Sequence, residues 1–467
     1  MSEPRTARGS TASTGAAGAD PGADRGPYRR IGGLALPIMF AALIGMLVQF
    51  AVVALLGRIS DQALYMRSLY LPVAFLFVAL AEAIDVCAQV SVAIARGRGD
   101  LRAPAALAGT LIRLGLAVVG VTALIVVVGA PLLAGLVRVS SADRDLFVSF
   151  LRWSALANIA AVAPTVLVAA IRGWGRAAAA AAVSVIMAVV QVGGVAVLGY
   201  GTGLGVYSVP YATLASAAAG LGLGVLAWRR SGLPAEAWRR WRAEAARVFG
   251  TVGGPVAASY LVLFGANLGT LWVIGPFGPA VVSGYASAYT LQTVVLVPAI
   301  ALGSAAAIVM NHLRGNGRSD RIPAAFRAAV AMSVAIYLPA SAVLWWARDG
   351  LAGTATGSPQ IAAHTSRYLL FVAPTIGLIC LVLVATTVLE QLGRGFVALA
   401  LNVGYFGFVI ALGGALARRA HDPDPLYLTI TLTNLVGAPV VLSTAYALLR
   451  RLSSPAPLSG PSTASTA

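Results

Sequence analysis

The chain has 467 residues, 59% of them hydrophobic and only 10% charged, with a mean hydropathy of +0.85 and a net charge of +17. That balance excludes an ordinary soluble globule and leaves room for about a dozen apolar segments of roughly 20 residues, each long enough to cross a bilayer. The excess of basic residues, all of them arginine, reads as loops obeying the positive-inside rule, so no nucleic-acid partner is expected.

Residues 1–27 form a Ser/Ala/Gly/Pro-rich tail with no apolar face, read as disordered, and 453–467 a similar one. Between them the pattern predicts an all-α membrane protein with twelve spanning helices. The first six run near 31–56, 69–95, 104–134, 146–171, 177–199 and 206–228. The second six run near 249–274, 284–312, 323–347, 364–389, 395–416 and 425–449. This divides the chain into an N-lobe (28–228), an amphipathic linker (229–248) and a C-lobe (249–452). Most arginines fall in the tails and inner loops when both termini are cytoplasmic, which predicts a multi-pass protein of a bacterial inner membrane. In the linker, Pro234 opens a stretch in which Trp238, Trp241 and Ala245 recur at helical spacing among arginines. That spacing predicts a helix lying on the inner membrane face, connecting the halves.

Helix two contains "VALAEAIDVCAQ" (78–89), which sets Glu82 and Asp85 in the middle of a spanning segment. A carboxylate there costs roughly 2.5–3.5 kcal/mol on insertion scales and normally faces a partner or a cavity. Glu82, Asp85 and Gln89 follow i, i+3, i+7 spacing and share one helix face. Two readings stand. Such a pair can take up and release a coupling ion, or Asp85 can pair with Arg113 of helix three, which lies at similar depth, and bolt the two helices together. A direct contact to substrate is a third use for the same charge.

Cys87 and Cys380 both lie in apolar segments and predict free, packed thiols, while His312, His364 and His421 are too scattered for a metal site. No cofactor is expected beyond a proton or sodium ion. "GRGD" at 97–100 matches a string found in intramembrane aspartyl proteases, but Asp100 falls in an arginine-rich loop. There is no zinc-protease, nucleophile-elbow or phosphate-loop motif either, so no enzyme is predicted.

The halves repeat at an offset of 218 residues: Pro37 meets Pro255, Gly57 meets Gly275, "RGRG" at 96–99 meets "RGNG" at 314–317, and Gly175-Arg176 meets Gly393-Arg394. Each half holds an even number of helices, so the repeats are parallel and related by an axis along the membrane normal. Gln49 and Asn267 are repeat partners inside helices one and seven, and matching amides in both halves suit the lining of a central space as well as they suit helix-to-helix bonds. Tyr70, Tyr285, Tyr289 and Gln292 are placed either to line an outer mouth or, for the aromatics, to serve as ordinary interfacial anchors. Glu390 ends helix ten with Arg394 at i+4; its repeat partner is Arg172, which makes an inter-lobe pair conceivable on the inner side.

"LALPIMF" (34–40), "LLGRISDQAL" (55–64) and "ARGRGD" (95–100), followed by "PTVLVAAIRGWGRA" (164–177) and "ALGSAAAIVMNHLRGNG" (301–317), resemble the multidrug and toxic compound extrusion (MATE) family over residues 31–452. The resemblance implies twelve helices in two lobes, working as a monomer among membrane lipids. It also implies export of amphipathic, often cationic small molecules in exchange for protons or sodium ions, by alternating access. Two positions depart from the family pattern. The carboxylate that many members carry fifteen residues after the first-helix proline is here Val52, and the one eight residues after the helix-seven proline is Leu263. Glu82 and Asp85 are therefore the carboxylates expected to stand in. A lipid-linked oligosaccharide flippase of the same superfamily and a transport-inactive membrane protein are the alternatives.

Overall fold

The computed structural model describes residues 26–137, 139–234 and 237–453. It contains fifteen α-helices, and among the described residues no strand. In the first half these are α1 (Pro27–Ile59), α2 (Asp61–Gly97), α3 (Ala103–Leu136), α4 (Arg144–Gly173), α5 (Ala177–Gly201) and α6 (Ser208–Arg230). In the second half α7 (Ala243–Val248) runs through a π-helical turn (Phe249–Gly253) into α8 (Gly254–Ile274), followed by α9 (Pro279–Gly315), α10 (Ile322–Trp346), α11 (Arg348–Ala355) and α12 (Pro359–Leu389). Then, after a second π turn (Glu390–Arg394), come α13 (Gly395–Phe408), joined by a third (Val409–Gly413) to α14 (Gly414–Ala420), and α15 (Asp424–Ser453).

Among the described residues, eleven uninterrupted stretches are long and apolar enough to cross a membrane. The longest, Pro359–Ala420, would measure about 90 Å if straight, three times the hydrocarbon thickness. It is broken at Gly393, whose φ of 84° leaves the helical region and turns the chain. The spanning elements are therefore twelve, and their ends lie within a few residues of those expected. Helix two is the instructive exception: it starts at Asp61, eight residues earlier than expected, because Ser60 caps it by accepting a hydrogen bond from the Ala63 amide at 3.0 Å. Arg67, expected in a loop, thereby becomes a helical residue.

Each half wraps its own apolar core, but the cores exchange their first turns. Ile31, Ala35 and Ile38 of α1 pack into the core of the second half, while Ala245, Val252 and Val256 of α7 and α8 pack into that of the first. Ile38 and Val256 are separated by 218 residues, so this is the repeat made physical. The exchange occurs on the side of the membrane that holds Pro27 and Ser453, called here the tail side. There α2 and α9 cross with backbone against backbone. A Cβ on Gly97 would strike the His312 carbonyl and the Gly315 Cα; a Cβ on Gly315 would strike the Ile94 carbonyl and the Gly97 Cα. Gly97 and Gly315 are repeat partners, so the twofold axis passes between them.

The repeated loop glycines have the same origin. Gly99 and Gly317 end α2 and α9 at φ 71° and 70°, and Gly175 and Gly393 turn the chain at φ 83° and 84°. An L side chain in that region costs roughly 1–2 kcal/mol. Arg96 donates to the Trp174 carbonyl, and its repeat partner Arg314 donates to the Leu392 carbonyl at 3.5 Å, so the same arginine pins the same turn in each lobe.

The linker departs from expectation. It is not an amphipathic helix from Pro234: helix begins only at Ala243, and residues 237–242 form turns docked on α3. Trp238 stacks obliquely on Trp228 with centroids 4.9 Å apart, and Gly109 leaves the room that the Trp238 carbonyl occupies. Arg113 donates to the carbonyls of Arg239 at 2.8 Å and Arg240 at 3.1 Å, and the Arg242 amide donates to Thr110 Oγ1 at 3.0 Å. Docking leaves these carbonyls without helical partners, and the guanidinium supplies the donors. Residues 235 and 236 lie outside the described chain.

Two outcomes are expected. Gly97→Ala and Gly315→Ala each force two backbones apart and cost about 1–3 kcal/mol, seen as a lower thermal midpoint in detergent. Gly404→Ala, which meets nothing within 4 Å, leaves the midpoint unchanged. Arg113→Gln frees the linker, so trypsin cuts after Arg239 and Arg240 faster than in wild type.

Candidate functional site

The end of α4 is drawn onto α2 because Gly173 has no side chain: a Cβ there would strike the Gln89 carbonyl. The approach sets Arg172, one residue earlier, against the face of α2 on which Asp85 and Gln89 lie. Arg172 Nη2 donates to Asp85 Oδ2 in a close ion pair, and its Nε donates to Gln89 Oε1 at 2.5 Å. Both partners are mostly withdrawn from solvent, with side chains 18% and 21% exposed.

From Gln89 the network crosses into the second lobe. Gln89 Nε2 donates to Gln391 Oε1 at 2.7 Å and to Ser304 Oγ at 2.8 Å, and Ser304 Oγ donates back to Gln89 Oε1 at 3.2 Å. Gln391 is delivered by the π turn that ends α12, and its own carbonyl accepts from Asn311 Nδ2 at 3.2 Å. His312 on α9 reaches the Gly173 carbonyl with Nε2 at 2.9 Å, a second point of contact across the seam. A third contact comes from Tyr260 of α8, whose hydroxyl faces the Glu82 carboxylate closely enough to interact with it electrostatically. Its neighbour Ser259 donates to Glu390 Oε1 at 2.8 Å. Deeper in the seam, Phe75 of α2 stacks on Phe264 of α8 with centroids 4.4 Å apart.

The seam therefore gathers Glu82, Asp85, Gln89, Arg172 and Glu390, which the sequence singled out. It adds Gln391, Ser304, Ser259, Tyr260, Asn311 and His312, which it did not. A serine or tyrosine inside an apolar helix carries no periodic signal. Gln391 stood beside an identified glutamate, and the π turn that aims it is invisible to a 3.6-residue period.

Two expected pairings do not form. Asp85 pairs with Arg172, not Arg113, because equal depth does not place two side chains at the same azimuth: the Asp85 face of α2 turns toward α4 and the seam, while Arg113 turns to the linker. Arg172 and Glu390 do not pair with each other either. Though related by the repeat, Arg172 turns to Asp85 and Glu390 turns to Ser259.

The other positions are dispersed. Gln49 stays in the N-lobe, exposed, where its Oε1 accepts from Arg67 Nη2 at 3.4 Å. Asn267 is half-buried on α8. Gln292 is buried within the C-lobe, accepting from the Tyr368 hydroxyl at 3.0 Å. Tyr289 stacks on Tyr285 there, in an aromatic chain that continues through Tyr368 to Tyr427. Val52 is buried in the N-lobe core and Leu263 is 40% exposed, so both positions are apolar in place as well as in sequence.

The model of the MatE family matches residues 37–197 and 255–414, one match per lobe and together well over half of the chain. No curated protein matches the chain by sequence. Among solved structures, a mutant of the Vibrio cholerae MATE transporter VcmN superposes with a TM-score of 0.85 at 17% identity, covering 91% of this chain and 97% of that one. A MOP superfamily transporter from Pyrococcus furiosus, described as having a binding pocket of reverse polarity, gives 0.82 at 18%, covering 92% and 97%. The outward-facing conformation of a multidrug resistance MATE family transporter gives 0.79 at 18%, covering 91% and 96%. At such identities the superpositions speak for the fold, and the family match along both lobes speaks for kinship: the chain is a multi-pass membrane protein that belongs to the MATE family of transporters.

Proposed function

We propose that the chain is a secondary active exporter of amphipathic small molecules, driven by inward proton movement, with the tail side facing the cytoplasm. The observation that carries this reading is the seam: ionisable groups meet where two related lobes are joined by a small set of hydrogen bonds. Alternating access requires those bonds to break and re-form, and a coupling group must sit where protonation changes them. Glu82 meets that requirement. Ionised, it attracts the Tyr260 hydroxyl that faces it across the seam. Protonated, it becomes a poorer acceptor and loses the charge that attracts the hydroxyl, so a proton arriving from the outside eases opening toward the cytoplasm, where it leaves again.

Asp85 and Arg172 share the same end of the network. A proton on Asp85 would release Arg172, and Arg172 holds Gln89, the residue that reaches Gln391. The donor set favours a proton over sodium as the coupling ion. Asp85 faces a guanidinium, which repels a cation and occupies the oxygen that would ligate it, whereas a hard cation takes about six oxygen ligands.

The test is dye transport in proteoliposomes under an imposed pH gradient, with ethidium as the cationic probe and carboxyfluorescein as the anionic one. Wild type is expected to move at least one of them. Asp85→Asn, at equal abundance, is expected to lose about tenfold or more in rate, since removing one partner of a buried pair costs roughly 3–5 kcal/mol in the state that contains it. Equal transport by the two proteins would remove Asp85 from coupling, and no gradient-driven movement of either dye would sink the exporter reading. Tyr260→Phe keeps the ring and deletes the hydroxyl that faces Glu82. If Glu82 is the coupling group, that variant shifts the pH profile of transport; a purely structural tyrosine would lower the rate equally at every pH.

A further inference from the structure

Arg67 lies six residues inside α2 on the side away from the tails, about 9 Å along the helix from its start. Its guanidinium is poorly satisfied. One nitrogen, Nη2, donates to Gln49 Oε1 at 3.4 Å, the guanidinium carbon lies 5.6 Å from the centre of the Tyr70 ring, and Nε is buried with no hydrogen-bond partner. Among the described residues no carboxylate pairs with it. Glu82 and Asp85 lie fifteen and eighteen residues further along the same helix, more than about 20 Å away, and both are engaged at the seam. Asp143 is held by Gln62 Nε2 at 2.6 Å and by Ser140. Val52, one turn along α1 from Gln49, is buried and apolar.

Arg172 at the seam shows what satisfaction looks like: it has a carboxylate and an amide oxygen. Arg67 has one long bond and an aromatic face. A buried donor without an acceptor costs several kcal/mol in an apolar surround, and a cation more. The neighbouring groups are donors too. Asn158 Nδ2 donates to the Tyr70 hydroxyl at 3.2 Å, which leaves the phenolic proton free to be given, and Gln49, whose Oε1 accepts from Arg67, is exposed with its amide N–H groups available to donate.

We propose that Arg67, Gln49 and Tyr70 form a recognition site in the N-lobe for an anionic group, a carboxylate or a phosphate, on the transported molecule. The proposal rests on the exporter reading and deepens it, since the substrate would then be an amphipathic anion, opposite in charge to the cations expected from the family resemblance. A planar guanidinium takes two oxygens of such a group in parallel, while Gln49 and Tyr70 supply the donors beside it.

The test is equilibrium binding of carboxyfluorescein to the purified full chain in detergent, followed by fluorescence polarisation with no gradient present. Saturable binding is expected, weakened about tenfold or more in Arg67→Gln, as loss of a charge-assisted bond implies. Arg67→Lys, which keeps the charge without the fork, should recover part of it. Gln49→Leu should weaken binding severalfold and serves as the readout if Arg67→Gln does not fold. Displacement by benzoate but not by dihexanoyl phosphatidic acid identifies a soluble carboxylate as the source of the anion; displacement by the phosphatidic acid alone identifies a lipid phosphate. No saturable binding, or binding unchanged in Arg67→Gln and Gln49→Leu, overturns the site. Ethidium transport without carboxyfluorescein binding would do so while leaving the exporter reading intact. Carboxyfluorescein binding without transport of either dye would sink the exporter reading and leave the site.

Discussion

The rest of the structure hangs on one close crossing, where α2 and α9 meet at Gly97 and Gly315 with no side chain between them. In a bilayer, helices gain nothing by hiding apolar surface from one another, since lipid is as apolar as leucine. Association comes from backbone proximity and from polar groups that find partners. The crossing supplies the first and makes the second possible. With the two backbones this near, Gln89 of one lobe comes within 2.7 Å of Gln391 in the other, and His312 reaches the Gly173 carbonyl. Because the two glycines are related by the repeat, the contact is isologous in the sense of a twofold dimer: each satisfies the other's need for space.

Duplication gave the lobes a common frame, and divergence gave them different chemistry. The frame survives in Gly99 with Gly317, Gly175 with Gly393, and Arg96 with Arg314, all positions at which the backbone itself sets the requirement. Where side chains carry chemistry the pairs have separated. Arg172 became Glu390 and Gly173 became Gln391, so one lobe presents a cation at the seam and the other an acceptor and an amide. The N-lobe holds Arg67 with Gln49, whereas the C-lobe holds a chain of tyrosines with Gln292.

Much of this was legible in the chain itself. Apolar segment length exposes the spanning helices, and glycine, proline and arginine at a constant offset expose the repeat, because those residues answer to backbone conformation and membrane side rather than to neighbours. Glu82 and Asp85 stood out because a charge in an apolar run has to be explained. Their partners did not, since partnership depends on helix rotation and on local irregularity. Depth alone suggested Arg113 for Asp85, but a second coordinate, the direction each face points, assigns it to the linker. The linker's own spacing suggested a helix; docking of Trp238 on α3 outweighed a propensity worth only tenths of a kcal/mol per residue. Arg67 was hidden by a boundary error of two helical turns, which a serine cap explains in retrospect.

The docked linker has a mechanical consequence. A loop between two rigid bodies normally acts as slack, and its contour length sets how far they can move. Here Arg113, Thr110 and the Trp228–Trp238 stack fasten the stretch up to Arg242 to the first lobe, and the Arg98–Glu244 pair at 2.7 Å carries the fastening into α7. Much of the slack is thereby removed, and the π turn Phe249–Gly253 follows directly on the fastened stretch. There an extra residue per turn and two glycines, Gly250 and Gly253, soften the helix just before Tyr260 and Ser259. The chain's freedom between the halves is thereby narrowed to a short irregular stretch about two helical turns from Ser259 and Tyr260.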